Sequence, residues 1–359
     1  MATAALIATR DPMLLDDLLR LAAAADAAVE VASDADTAGT AWPGPPLVLV
    51  GHDLADELAA GAPLRRPGVV VVVTDPDDES VYRAAVGLGA QHVVGLPDAE
   101  AWLVDAFAAA AEPPGRRAPQ VCVAGGRGGS GASVLATMLS LSAARHGLET
   151  LLVDGDPYGG GLDLLLGQEA ARGARWPELA DRRGRLGTTA LRASLPMVGE
   201  LAVLSWDRGP AEPIPAEAMR SVLDAAARAY ALVVVDLPRY LDAAAVEALL
   251  TCTVVLLVVP AEVRAAVAAH RVATGLRRHA ADVRLVVAGP APGGLDPGTV
   301  AGALGLPLAG TLRHDRRLAM ALEHGDVLSL RRRTHVAGLC DRLITDLGLL
   351  DPHPRDEAA

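Results

Sequence analysis

The chain of 359 residues contains no lysine and no asparagine, so every one of its 32 Lys and Arg positions is an arginine. Aromatic residues make up 3% of the sequence, which disfavours the stacking surfaces that bind single-stranded nucleic acid. The formal net charge of -12 disfavours a general binder of DNA or of anionic membranes. The composition therefore favours proteins or a nucleotide as partners over nucleic acid.

Cysteine is also scarce, and Cys122, Cys252 and Cys340 form no CxxC pair. Their spacing predicts neither a disulfide framework nor a cysteine-ligated metal. No apolar run reaches the roughly 18 residues that a membrane-spanning helix needs, and the first residues lack the pattern of a secretory signal. We therefore expect a cytoplasmic protein.

Residues 1–111 alternate short apolar runs with amphipathic stretches. This alternation predicts a doubly wound parallel sheet, the α/β class, and five units in this length resemble a receiver-like (flavodoxin-like) domain of response regulators. The predicted strands are Leu6–Thr9, Val29–Ala32, Leu47–Gly51, Val69–Thr74 and His92–Val94, with helices over 12–25, 54–60, 79–88 and 99–111 and only a loop or short helix between Ser33 and Pro46.

A working receiver needs an acidic pair, a phosphorylatable aspartate and a lysine after the fifth strand. Asp11, Asp16 and Asp17 lie near the first position, and Asp53 lies two residues past Gly51, the predicted end of the third strand. The lysine is absent, since the fifth strand is followed by Gly95-Leu96-Pro97. The pattern therefore favours a pseudo-receiver that docks a protein partner over a phosphorylated switch.

Residues 112–119 combine proline, glycine and charge, which is typical of a linker. We predict a second domain over 120–350 and a disordered polar tail over 351–359.

Residues 126–133 of the second domain read Gly-Arg-Gly-Gly-Ser-Gly-Ala-Ser, between a predicted strand, Gln120–Ala124, and a predicted helix, Ser133–His146. This is the frame of a phosphate-binding P-loop, whose backbone N–H groups surround the phosphates, whose lysine reaches the β and γ phosphates and whose Ser or Thr holds Mg²⁺. Ala132 stands where the lysine is expected. Drift from lysine to arginine would have placed arginine there, so we interpret the lost charge as functional.

Three aspartates follow predicted strands of the same domain. Asp154 and Asp156 come after Glu149–Val153, and Asp236 comes after Leu232–Val235. Carboxylates at strand ends beside a phosphate loop are where Mg²⁺ and an attacking water are held.

These motifs resemble the MinD/ParA family of deviant P-loop ATPases, whose loop reads Lys-Gly-Gly-x-Gly-Lys-Ser/Thr. The resemblance implies a P-loop NTPase-type doubly wound parallel sheet that binds ATP and Mg²⁺ and forms a homodimer. The implied nucleotide-binding residues are Gly126, Arg127, Gly128, Gly129, Ser130, Gly131, Ala132, Ser133, Asp154 and Asp236.

The same resemblance implies individual roles. Arg127 falls on the family's signature lysine, which reaches the partner's nucleotide across the dimer, and Asp156 falls on the carboxylate that orients water. Ser133 and Asp236 would hold Mg²⁺, Asp236 through water. Ala132 stands in place of the lysine that binds the phosphates. We therefore expect the protein to bind ATP but to be at most a weak ATPase.

A receiver-like module ahead of such a P-loop resembles the CpaE/TadZ pilus-localisation proteins and, more closely, the actinobacterial septum site-determining (Ssd) proteins. This implies a spatial regulator, recruited to the septum or the cell pole, that acts in septum site determination. The alternatives are a localisation factor for Tad pilus assembly, an active cycling ATPase and a nucleotide-free scaffold.

Three arginine-rich stretches suggest two other kinds of partner, a membrane and DNA. Arg331-Arg332-Arg333 and the helix after it could contact a membrane peripherally, but a last helix packed on the sheet is the favoured interpretation. The pairs Arg277-Arg278 and Arg316-Arg317 could face DNA, but solvated surfaces are commoner.

Overall fold

The structure, a computed structural model, describes residues 4–61, 63–74, 79–111, 117–181, 186–290, 295–329 and 334–350. The chain divides into two compact units, with the main division between residues 115 and 116. Each unit is an α/β fold with its own sheet.

The N-terminal unit is a parallel sheet of five strands in the order β2-β1-β3-β4-β5, which is the flavodoxin-like order. Its strands are β1 (Ala5–Ala8), β2 (Val29–Ala32), β3 (Leu47–Gly51), β4 (Val69–Val73) and β5 (His92–Gly95). Its helices are α1 (Pro12–Ala24), α2 (Ala35–Ala41), α3 (His52–Ala60), α4 (Glu79–Leu88) and α5 (Glu100–Ala111).

The sheet of this unit is covered on both faces. The five valines of β4 are all buried, and they alternate between two apolar clusters on opposite sides of the sheet. Such continuous apolar runs are what a parallel strand between two layers of helices requires. The predicted receiver-like fold is confirmed.

The acidic residues of this unit have structural contacts. Asp11 caps α1 by accepting hydrogen bonds from the amides of Met13 and Leu14. Asp53 lies in the first turn of α3, where its carboxylate accepts a 2.7 Å bond from the Thr9 hydroxyl and a 2.6 Å bond from the Arg10 amide. These contacts join the carboxyl ends of β1 and β3.

The second unit has an eight-stranded sheet in the order β13-β12-β11-β6-β10-β7-β9-β8, parallel except for the β8–β9 pair. Its strands are β6 (Gln120–Gly125), β7 (Thr150–Asp154), β8 (Met197–Val198), β9 (Leu201–Leu204), β10 (Leu232–Asp236), β11 (Val254–Pro260), β12 (Val283–Gly289) and β13 (Leu308–Arg313).

The helices of this unit lie on both faces of its sheet. They are α6 (Ala132–Arg145), α7 (Leu162–Leu165), α8 (Trp176–Ala180), α9 (Thr188–Ser194), α10 (Ala216–Ala229), α11 (Ala243–Thr251), α12 (Val263–Leu276), α13 (Pro297–Leu304), α14 (Arg316–Glu323) and α15 (His335–Asp346), with a 3₁₀ turn at Val327–Ser329.

The last helix packs on the core, as the favoured interpretation predicted. Its apolar face, which includes Val336, Leu339 and Ile344, is buried against the cluster that contains α6. The predicted arginine run at 331–333, most of the linker and the tail over 351–359 lie outside the described residues. Among the helices that the structure describes, none is long and apolar enough to cross a bilayer.

Candidate nucleotide-binding site

The glycine loop connects β6 to α6 at the centre of the larger sheet. Gly129 and Gly131 have φ angles of +67° and +92°, in the left-handed region that favours glycine. Gly131 is the N-cap of α6, and no side chain there accepts a hydrogen bond from the first turn. The amides at this helix N-terminus therefore remain available to an anion.

Close packing explains another glycine of the loop. A Cβ atom on Gly126 would lie 2.8 Å from Cβ of Ala269 and 2.9 Å from Cγ2 of Val259, closer than side-chain carbons approach. The backbone of the loop therefore lies directly against β11 and α12.

Ala132 begins α6, and its half-buried methyl group packs against the apolar cluster below the helix. The side chain at this position carries no charge. Loop shape and helix dipole are kept here, while the cation that normally accompanies them is absent.

Two of the predicted aspartates lie side by side. β7 and β10 are neighbouring parallel strands, and Asp154 and Asp236 are register partners at their carboxyl ends. Both are buried, with 2% and 4% of their surface exposed. Two buried carboxyl groups this close cannot both ionise without an energetic cost.

Burial raises the pKa of Asp236 to about 7, and the negative charges of Asp154 and Asp156 act in the same direction. A hydrogen bond with Ser133, the second residue of α6, opposes this rise. The predicted Mg²⁺-binding residues, Ser133 and Asp236, line the same cavity.

Asp154 has more hydrogen-bond donors around it. Its Oδ2 accepts bonds from the amide of Leu162 at 3.0 Å and from the hydroxyl of Ser205 at 2.9 Å, and its Oδ1 accepts a 3.3 Å bond from the amide of Asp156. Burial nevertheless raises the pKa of Asp154 to about 6. The carboxyl group is held in one orientation.

A second set of polar residues behind Asp154 was missed by the sequence reasoning. Ser205 also contacts Asp163 at 3.3 Å, and Arg208 pairs with Asp163 at 3.0 Å. The indole of Trp176 donates a 2.6 Å bond to the carbonyl of Asp154. The sequence offered one signal for Ser205: it directly follows the apolar run 201–204, which forms a strand paired with β7.

The predicted catalytic aspartate, Asp156, is half-buried and accepts a 3.0 Å bond from the amide of Tyr158. It lines a cavity of about 530 Å³ together with Ser133, Asp154 and Asp236. The structure therefore brings all four of these predicted residues to one cavity.

A second cavity of about 470 Å³ lies along the glycine loop. It is lined by Arg127 and Gly129–Gly131 from the loop, by Glu262, and by residues at and after the ends of β12 and β13. Arg127 Nη2 lies 3.0 Å from Glu262 Oε1, and its Nε is buried without a hydrogen-bond partner. The predicted dimer-spanning arginine is thus paired within its own chain.

Comparison with known proteins identifies the chain's relatives. Over 338 residues it is 41% identical to protein Rv3660c of Mycobacterium tuberculosis, a match that covers 93% of this chain and 95% of the relative. The chain belongs to the Rv3660c-like family. Residues 8–118 match the family model described as the Rv3660c-like, CheY-like N-terminal domain, and residues 118–286 match the model described as cellulose biosynthesis protein BcsQ.

The second unit of this Rv3660c-like protein is related to the MinD/ParA superfamily. A protein of Nephroselmis olivacea, named as a septum site-determining protein MinD, is 26% identical over 226 residues, which cover 61% of this chain and 82% of the relative. MinD of Aquifex aeolicus has a TM-score of 0.54 at 19% identity, covering 66% of this chain and 99% of its own. A ParA family ATPase of Chlorobium tepidum has a TM-score of 0.55 at 16% identity, covering 64% of this chain and 99% of its own.

The residues around the glycine loop carry the hydrogen-bond donors and the oxygen ligands that a nucleotide and Mg²⁺ require. The uncapped turn at Gly131 supplies amides to phosphate, and Ser133 with Asp236 supplies oxygens of the type that Mg²⁺ prefers. Within the described ranges, no group of three or more His, Cys, Asp or Glu side chains could hold a metal ion. An Mg²⁺ ion here would therefore need phosphate and water oxygens as further ligands.

The raised pKa of Asp236 predicts a pH-dependent stability. Its ordinary pKa is 3.8, so between about pH 4 and pH 7 the folded state holds a proton that the unfolded state lacks. This contribution to stability is lost as pH rises through 7. We expect Asp236→Asn to be more stable than the natural protein at pH 8, by about 1–3 kcal/mol, with little difference at pH 4.

Hydrogen exchange of the β10 amides at the two pH values measures this difference. The control is Asp296→Asn, at the exposed N-cap of α13, where asparagine caps as well as aspartate. Equal pH dependence in Asp236→Asn and the natural protein would contradict the buried-carboxyl interpretation.

Proposed function

We propose that this protein is a spatial regulator of the MinD/ParA superfamily that binds ATP with Mg²⁺ in its P-loop unit, dimerises, and hydrolyses the nucleotide weakly or not at all. The N-terminal pseudo-receiver docks a protein partner. One observation carries the proposal: Ser133, in the first turn of α6 after the glycine loop, lines one cavity with Asp154, Asp156 and Asp236, while Ala132 offers no charge at the lysine position.

The backbone amides, the Mg²⁺-binding residues and the second cavity would each hold a different part of the nucleotide complex. The amides of the loop and of the first turn of α6 would bind the phosphates, and Ser133 and Asp236 would hold Mg²⁺, which neutralises phosphate charge when bound. The cavity that contains Arg127 and Gly129–Gly131 has room for the rest of the nucleotide. Its lining is mixed, with Leu312, Leu318 and Pro290 beside the polar groups.

The absence of the lysine lowers the expected affinity for ATP. A charge-assisted hydrogen bond contributes about 1.5–3 kcal/mol, or roughly one to two decades in Kd. Its loss weakens binding but leaves the amides in place. The rate of hydrolysis is expected to fall further than the affinity, because the lysine would stabilise the charge on the transferred phosphoryl group most in the transition state.

Arg127 is available for the dimer. Its pair with Glu262 is 39–40% exposed, and exposed ion pairs contribute only about 0–1 kcal/mol. A second protomer that brings a nucleotide phosphate to Arg127 would therefore displace Glu262 at small cost.

The acidity of the chain supports a docking role for the N-terminal module. Residues 1–111 contain 17 Asp and Glu against 5 Arg, whereas residues 120–350 contain 23 against 24. The net negative charge is therefore concentrated in the pseudo-receiver. A partner with a basic surface would be steered to it.

Calorimetric titration with Mg²⁺ and ATP tests the nucleotide proposal. We expect weak binding by the natural protein, and binding about ten- to a hundredfold tighter by Ala132→Lys, because the lysine restores a charge to the loop. Ala144→Lys, near the other end of α6, is the matched control and should leave Kd unchanged.

Two results would decide against the proposal. No binding at millimolar nucleotide by either protein would leave the nucleotide-free scaffold. Release of phosphate well above background by the natural protein, lost in Asp156→Ala, would favour the cycling ATPase.

A septum role is preferred to a pilus role, because one relative in the superfamily is named for septum site determination. A fluorescently tagged chain, expressed at its natural level in growing cells, is expected to concentrate at the division septum. Steady concentration at pilus assembly sites, with none at the septum, would instead support the pilus role.

A further inference from the structure

The fold brings together two cysteines that are 130 positions apart in the chain. Cys122 is on β6, and its Sγ lies 3.6 Å from the carbonyl oxygen of Ala248 in α11. Cys252 is the C-cap of α11, and its Sγ lies 3.1 Å from the carbonyl oxygen of Leu249. The two Sγ atoms therefore contact the carbonyl oxygens of adjacent residues in the same helix. The predicted lack of paired cysteines rested on sequence spacing, which does not register this contact.

The two thiols differ in access. Cys122 is fully buried in the sheet, whereas Cys252 is partly exposed at the end of its helix. Cys340, on α15, is fully buried and provides an internal comparison. A reagent from solution therefore reaches Cys252 first.

The two thiols also differ in acidity. The neighbouring Cys122 thiol lowers the pKa of Cys252, against the effects of burial and of the Asp282 charge. The same proximity, with burial, raises the pKa of Cys122, and burial raises that of Cys340. Since the thiolate is the nucleophile, Cys252 is the reactive member of the pair.

We propose that Cys252 and Cys122 form a site of oxidative modification, in which a hydroperoxide converts the two thiols into an intramolecular disulfide. The Cys252 thiolate attacks the peroxide oxygen, the O–O bond breaks, and the leaving alkoxide or hydroxide takes up a proton. The resulting sulfenic acid at Cys252 is then attacked by the Cys122 sulfur. The S–S bond forms, the S–O bond breaks, and the hydroxyl group leaves as water with the thiol proton.

The position of the pair gives the modification a structural consequence. β6 leads into the glycine loop, and Cys122 is four residues before Gly126. The backbone beside Cys252 is already joined to β6, since the amide of Thr253 donates a 2.7 Å bond to the carbonyl of Gln120. A disulfide would add a covalent link between α11 and the strand that carries the loop.

Peptide mapping of the full-length protein after treatment with hydrogen peroxide tests the proposal. Digestion without reductant should yield a cross-linked peptide joining Cys122 to Cys252, 2 Da lighter than the sum of the two thiol peptides, and dithiothreitol should release it. Cys252→Ser and Cys122→Ala should each abolish the cross-link, and Cys340→Ser should leave its yield unchanged. None of these readouts depends on nucleotide binding.

Brief labelling of the folded protein with iodoacetamide is a second readout that needs no variant. Cys252 should be alkylated at least tenfold faster than Cys122 or Cys340, because it alone combines access with a lowered pKa. Oxidation of Cys252 to sulfinic or sulfonic acid with no cross-link would overturn the proposal. So would equal labelling of all three cysteines, or a disulfide that joins two chains.

Discussion

The carboxyl groups of Asp154 and Asp236 lie side by side at the ends of two neighbouring parallel strands, and the arrangement of the site depends on this placement. Strand register fixes their separation, and burial keeps water from screening them. Their mutual repulsion is relieved by protonation and by donors, which explains the bonds from Ser133, Ser205 and the amide of Leu162. A cation near Asp236 would relieve it further.

The shape of the glycine loop does not depend on the side chain at the lysine position. The form of the glycine loop is set by backbone conformation at Gly129 and Gly131 and by the close approach of Gly126 to α12. None of these constraints involves the side chain at position 132. Alanine at this position therefore leaves the form of the loop unchanged and supplies no charge to it.

Much of this arrangement was predictable from the sequence, because it follows from local pattern and parallel topology. Apolar runs such as Val69–Val73 marked the strands, and the glycine spacing marked the loop. Since parallel strands end at one edge of a sheet, aspartates after Val153 and Val235 were expected to lie near the loop. Asp154 and Asp236 were thus predicted as site residues, and the structure brings them together.

Other features depend on contacts between distant segments, which no local pattern encodes. Ser205 lies beside Asp154 because β9 pairs with β7, and its strand was not predicted. Cys122 and Cys252 meet because α11 packs on β6. The pair between Arg127 and Glu262 depends on how α12 begins relative to the loop. In each case the packing of whole elements determines which side chains meet.

The central claim, that the glycine loop and the strand-end carboxylates form one nucleotide site, is tested most directly by hydrogen exchange of the full-length protein with and without millimolar Mg²⁺ and ATP. The account predicts slower exchange in 126–133 and in the segments after β7 and β10, with α15 as an internal reference that does not change. Unchanged exchange in the glycine loop, or protection confined to another part of the chain, would contradict it.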